Sequence, residues 1–275
     1  RAEASNMNRA PAEGSSLRSC KADLPKRSAE HSTGMNSCHA PPFRRALTGL
    51  DTVEAAYYLI PTPGGKFSFA ALMAAKEILV ANKSRTGAVH KIGTTEFLLR
   101  PRGTASGFPL LLENNEFSIQ CGEFNNPSFY VTFRSEALWR HGAQVLHDSF
   151  LSWAGSVGLY ALQPERLSRV DFTFDYEIEA PGFEADHVVS LSAKDDTHRK
   201  ERQVETLSYG TGDVRLRIYD KVAEIQQKSG KAWFFELWGV MENVWRIEWQ
   251  IRKAVLRRFG IRTFTDLDQG AGDVL

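Results

Sequence analysis

Apolar and polar residues alternate with a period of two along three runs in the last third of the chain. In Ser168–Asp175, the side chains of Val170, Phe172 and Phe174 fall on one side of an extended backbone. Arg169, Asp171, Thr173 and Asp175 fall on the other. In Arg215–Lys221, Leu216 and Ile218 oppose Arg215, Arg217, Tyr219 and Lys221. In Trp245–Arg252, Trp245, Ile247, Trp249 and Ile251 oppose Arg246, Glu248, Gln250 and Arg252. Each run reads as a strand with one face buried beneath helices and the other left open.

The remaining pattern predicts further elements. Thr52–Ile60 reads as a strand stopped by Pro61, Pro63 and the Gly64-Gly65 pair, and Phe67–Asn82 as a helix. Short strands follow at Glu96–Arg100, Phe108–Leu112, Phe117–Cys121 and Phe129–Phe133. Ser135–Gly155 reads as one helix with Ser135 as its N-cap. Glu205–Tyr209 is a strand, and Gly210–Asp213 a hairpin turn. No internal repeat or heptad pattern is visible. Strands and helices mix without regular alternation. The expected class is α+β: a largely antiparallel sheet, helices packed on one face, and an open polar face as active site. Residues 1–42 hold no Phe, Trp or Tyr, so they bury too little apolar area to offset chain entropy and are expected to be disordered. Order is expected from about Leu50. One domain spans 50–268, with an N-terminal part at 50–155 and the three polar strands at 167–252.

Composition adds exclusions. The 275 residues carry 34 basic and 33 acidic side chains, ordinary for a globular protein. No apolar stretch is long enough for a membrane span, and no apolar secretory leader is visible. Three cysteines (Cys20, Cys38, Cys121), none in a CxxC pair, fit a reducing compartment and argue against a zinc ribbon. The near-neutral total hides an imbalance: residues 51–198 carry six more acids than bases, residues 199–262 six more bases than acids. The second segment is the place to expect a polyanionic partner.

If the three polar strands share one sheet, carboxylates, guanidiniums and a tyrosine meet on one surface. Asp171 and Glu248 suit a hard divalent cation, Mg²⁺ or Mn²⁺, which takes one or two carboxylate oxygens and completes its shell with water and phosphate oxygens. The arginines, Arg215, Arg217 and Arg252 among them, suit phosphate oxygens. Tyr219 suits a nucleophile, its phenolate stabilised by a nearby cation. Asp175 reads either as a further ligand or as an ion-pair partner of an arginine. The set points to phosphoryl transfer.

The runs RVDFTFD (169–175), YGTGDVRLRIYDK (209–221) with Glu224, and WRIEWQIR (245–252) resemble the replication initiation factors of rolling-circle plasmids, the Rep-trans type, which includes relaxases of integrative elements and phage-borne initiators. The likeness runs from about Asp51 to Leu267, and PSFYVTFRSEALW (127–139) also looks like a strand–helix junction of that family. The resemblance implies that Tyr219 nicks one DNA strand at an origin, leaving a 5′-phosphotyrosine and a free 3′-hydroxyl. It implies that Arg169 with Asp171, and Arg246 with Glu248, surround a divalent metal, and that Lys221 and Glu224 complete the tyrosine motif. It also implies origin DNA, double- and single-stranded, as partner. A host helicase and polymerase, frequent dimerisation and a bacterial cytoplasmic setting on a plasmid, phage or integrative element complete the expectation.

Other signatures are missing: no GxxxxGK[ST] phosphate loop and no HxH pair. Tyr209 precedes a turn and lacks the adjacent lysine. His141 and His147 read as surface or core residues, Cys121 as a packing residue, and Trp233, Trp238, Trp245 and Trp249 as core. Glu224 is expected to pair with Lys221. The rival reading is a non-catalytic module that binds single-stranded nucleic acid on an RNA-recognition-like sheet, with Asp171 and Glu248 as salt-bridge partners of Arg169 and Arg246.

Overall fold

A computed structural model describes residues 43–178, 188–200 and 203–274. The predicted disorder of 1–42 lies outside them. The architecture is α+β, built on one antiparallel sheet of eleven strands.

Two long strands form its centre: β1 (Phe43–Tyr57) and β9 (Arg166–Ile178). After β1 the chain makes a short strand β2 (Leu59–Pro61) and helix α1 (Phe69–Ala81). It then reaches one edge of the sheet as β3 (Ala88–Ile92) and steps inward through β4 (Thr95–Leu99), β5 (Leu110–Glu113), β6 (Phe117–Cys121) and β7 (Phe129–Phe133), which pairs with β1. Helices α2 (Ser135–His141) and α3 (Ala143–Ser156) follow, then β8 (Leu159–Ala161), which pairs with β2. After β9 the plan repeats. The chain goes to the opposite edge as β10 (Asp195–Lys200) and steps inward through β11 (Gln203–Tyr209), β12 (Val214–Asp220) and β13 (Val244–Arg252), which pairs with β9. Between β12 and β13 lie α4 (Lys221–Glu224), a π-turn at Ile225–Ser229 and α5 (Trp233–Trp238). Helices α6 (Lys253–Arg258) and α7 (Phe264–Val274) end the described chain.

The two halves of the sheet are therefore arranged alike, contrary to the expectation of no repeat. The sequence keeps a trace of it. Arg134, Leu138, Arg140 and Gly142, just after β7, recur at the same spacing as Arg252, the last residue of β13, and Leu256, Arg258 and Gly260 beyond it. Both glycines close a short helix with positive φ, +80° and +79°. That left-handed conformation is costly for residues with a Cβ. It also breaks the predicted 135–155 helix in two.

The alternation predicted for the strands is the alternation found. Val53, Val131, Phe133, Val170 and Phe172 bury one face of the central strands against Phe150 and Trp153 of α3, Leu256 of α6, and Phe264 and Leu267 of α7. At about 25 cal/mol per Å² of apolar area, fully burying each large side chain contributes about 1.5–3 kcal/mol. Cys121 packs in this core as expected. Two expectations need correction. Ser135 is not the N-cap: that position is Arg134, and the Ser135 hydroxyl donates instead to Asp51 Oδ1 at 2.8 Å. Side-chain caps form instead at Ser68, which accepts from Ala71 N–H ahead of α1, and at Asp220, which accepts from Ala223 N–H ahead of α4. Order begins earlier than Leu50, because β1 starts at Phe43 and pairs with β9 along its length.

The polar face is not wholly open. At one end α5 and α2 lie over it, and Phe234, Trp238 and Val244 with Trp139, Trp233 and Leu47 form a separate apolar cluster there. Trp238 and Trp245 are buried, whereas Trp249 is 38% exposed although its backbone pairs with Leu216 and Phe172 inside the sheet.

Candidate active site

Strands β12, β13 and β9 are consecutive neighbours, so their polar faces merge. Register fixes the rows. Tyr219 faces Arg246, which faces Asp175. Arg217 faces Glu248, which faces Thr173. Arg215 faces Gln250, which faces Asp171, and Arg252 faces Arg169. Tyr219, Glu248 and Asp171 thus lie on one diagonal, each step the spacing of an i, j±2 pair, about 7–8 Å between backbones.

Tyr219 donates its hydroxyl to Glu248 Oε2 at 2.8 Å. Glu248 Oε1 accepts from Arg217, whose Nε is buried without a hydrogen-bond partner. Burial lifts the Tyr219 phenol well above its ordinary value; the Arg246 guanidinium opposes this, and Glu248 and Asp51 reinforce it. Asp171 is held by Arg169 in a two-bond fork of 2.8 and 2.5 Å, and Arg169 also reaches Glu54 at 3.3 Å. Burial raises the Asp171 pKa to about 6, the Arg169 fork pulling down and the Glu248 charge pushing up.

Arg246 sits differently from the rest. It is fully buried, bonded to both oxygens of Asp175 at 2.7 and 2.8 Å and to Asp51 at 2.8 Å. Trp238 Nε1 donates to Asp175 Oδ2, the oxygen that also accepts from Arg246 Nη2, at 2.9 Å. Of its two readings, Asp175 therefore follows the ion pair. Arg246 is closed off from any ligand, and it acts on Tyr219 as a fixed positive charge in the neighbouring register position. Lys221 is also buried. Its ammonium donates to Glu224 at 2.6 Å, as expected, and lies 5.6 Å from the centre of the Tyr219 ring. Burial and then the Arg246 charge lower its pKa, opposed by Asp51 and Glu224.

A cleft of about 430 Å³ opens over the Tyr219–Glu248 end of this group, lined among others by Arg215, Arg217, Tyr219, Lys221, Lys228 and Glu248, whereas Asp171 and Arg169 lie outside its lining. Arg252 is exposed and lies outside it. The residue that sequence reasoning missed is Asp51. It lines the cleft and binds Ser135, Arg246 and Lys231 at 2.8, 2.8 and 3.2 Å. Burial works against its charge, but Arg246, Lys231 and Lys221 hold its carboxyl below the usual range.

His147 is a core residue, hydrogen-bonded through Nδ1 to the Tyr57 hydroxyl at 2.8 Å. No group of three His, Cys, Asp or Glu side chains placed to hold a metal occurs among the described residues, so an all-protein metal cage is not found among them. Two carboxylates on one diagonal still match a cation that completes its shell with water and phosphate. No helix among the described residues is long and apolar enough to cross a membrane.

Compared with known protein families, with curated proteins and with solved structures, the chain finds no match.

Proposed function

We propose that the chain nicks and rejoins DNA through Tyr219 and initiates rolling-circle replication. The observation that carries this reading is the Tyr219–Glu248 hydrogen bond at the wall of a cation-lined cleft. The unpaired Arg217 Nε beside it supports the reading, because a buried donor without a partner is rare and a phosphate oxygen would satisfy it.

Glu248 takes the phenol proton across the 2.8 Å bond. The Tyr219 oxygen bonds to phosphorus, and the bond from phosphorus to the 3′ oxygen breaks. The departing oxygen receives a proton from Lys221, whose lowered pKa makes it the better acid. Arg217, Arg215 and Lys228 hold the phosphate track in the cleft. Rejoining runs the same steps backwards: the 3′-hydroxyl displaces Tyr219 and the phenol recovers its proton. Asp171 and Glu248 would hold an Mg²⁺ or Mn²⁺ ion, which when bound polarises the phosphodiester. The role follows from the chemistry of the donor set together with the resemblance of the three strands to plasmid initiators. Origin DNA, a host helicase and polymerase, a second copy of the chain and a bacterial cytoplasmic setting belong to the same proposal.

The test is incubation with supercoiled plasmid carrying the chain's own coding region, plus Mg²⁺ or Mn²⁺. Denaturation should reveal protein attached to a nicked 5′ end. Intact single-strand binding with no adduct would support the rival reading. That reading draws on Tyr219 being only 8% exposed and on both candidate metal carboxylates being engaged by arginines.

A further inference from the structure

A second cation-lined cleft, of about 460 Å³, lies where β9 begins and α6 hands over to α7. Arg166, Arg257 and Arg262 line it, with Glu165 and Thr263, and it shares no lining residue with the Tyr219 cleft. All three arginines are exposed, and none forms an ion pair among the described residues. The one carboxylate in the wall is committed elsewhere. Glu165 Oε1 accepts from the Phe264 N–H at 3.1 Å and faces His147 Nε2 at 3.8 Å. The Arg262 charge also acts on Asp266, whose Oδ2 accepts from the backbone N–H groups of Arg262 and Thr263 at 2.9 Å each. Arg166 is steadied by the Tyr58 ring, 5.8 Å from its guanidinium carbon.

The charge continues past the cleft. Residues 252–262 hold Arg252, Lys253, Arg257, Arg258 and Arg262 with no acid among them, and Phe259 on the same stretch is 69% exposed. A small anion would need the cleft alone. A basic run that extends beyond it, with an aromatic ring at the surface, fits an extended polyanion.

We propose that this cleft seats a phosphate of a nucleic-acid backbone and makes the β9–α6–α7 corner a second docking surface for DNA. Guanidinium groups match phosphate oxygens in geometry and charge. Pairings of this kind position the strand without reading its sequence. Along β9 the corner lies about 30 Å from the row of Asp175 and Tyr219, nine residues at about 3.3 Å each. The corner would therefore hold a stretch of DNA well away from the one entering the Tyr219 cleft. The inference stands on its own cleft and does not require Tyr219 to be a nucleophile.

The test compares the full chain with the double variant Arg257→Gln/Arg262→Gln, using a fluorescent duplex titrated at several salt concentrations. Each phosphate that the protein no longer neutralises lowers the slope of log K against log[salt] by about 0.9. Losing the one phosphate of the cleft should therefore make the double variant shallower by about 0.9, and Arg257→Lys/Arg262→Lys should keep most of the wild-type slope. An unchanged slope overturns the inference, as does competition by polyglutamate as strong as competition by unlabelled duplex. Weak competition by inorganic phosphate is expected, since it fills the cleft without the flanking run; competition by phosphate equal to that by DNA would overturn the extended occupant. Should the glutamine variant misfold, arginine modification of the unaltered chain decides. Arg257 and Arg262 should be protected by DNA, and equal modification with and without DNA contradicts the proposal. A plasmid-nicking assay run alongside separates the two readings. Nicking with an unchanged slope removes only the docking surface, and a reduced slope without nicking removes only the nuclease.

Discussion

Tyr219 and Glu248 sit on adjacent strands but not in facing register positions: the tyrosine faces Arg246 and reaches diagonally to the carboxylate of Glu248, 2.8 Å away. The arrangement gives one phenol both an acceptor for its proton and a buried cation beside its ring. It also separates two functions that the sequence pairs within WRIEW. Glu248 faces the cleft, and Arg246 is covered by Phe234 of α5.

Tyr219→Phe should abolish nicking and leave DNA affinity within about twofold. The substitution removes one oxygen and keeps the ring. Nicking that persists in this variant excludes Tyr219 as the nucleophile.

Glu248→Gln should lower the nicking rate by about 10²–10⁴-fold, the usual contribution of a general base. It should also raise the Mg²⁺ or Mn²⁺ concentration needed for half-maximal rate. A metal titration that superimposes on wild type would count against a ligand role.

Arg246→Leu should destabilise the fold by about 3–5 kcal/mol, because it strands the fully buried Asp175 carboxylate. Urea denaturation measures it. A variant as stable as wild type would show that the Arg246–Asp175 pair does not anchor β13 to β9.

Two carboxyls should give opposite pH limbs. The Asp171 pKa rises on folding from 3.8 to about 6, so the folded state keeps its proton longer. Stability then falls by about 3 kcal/mol as pH rises from 4 to 6, and is level above. Asp51 is lowered, so its contribution is present above pH 4 and is lost in stronger acid. Denaturation across pH should show the first limb vanish in Asp171→Asn and the acid limb shrink in Asp51→Asn. Superimposable profiles would remove the assigned partners.

The period-two alternation carried much of this arrangement in the sequence. It placed Arg169, Asp171, Arg217, Tyr219 and Glu248 on polar faces of strands, and those strands proved to be neighbours. Asp51 was hidden for a physical reason. Its position is in phase with the core residues Val53 and Ala55, but the register slips between Leu50 and Thr52, and the irregularity turns Asp51 to the polar side. An acid in phase with an apolar strand face was the available signal. The break in the 135–155 helix rested on Gly142 alone, and a single glycine is tolerated inside many helices. The cover over Arg246 comes from α5 and α2, whose packing against the polar face depends on long-range contacts that no local pattern records.

The most direct measurement is to trap the protein on nicked plasmid, digest it, and identify by mass spectrometry the residue that carries the DNA phosphate. The expected product is a phosphodiester on Tyr219 alone. A phosphate on Tyr209 or on any other residue, or nicked DNA with no protein attached to its 5′ end, would contradict a Tyr219 nucleophile.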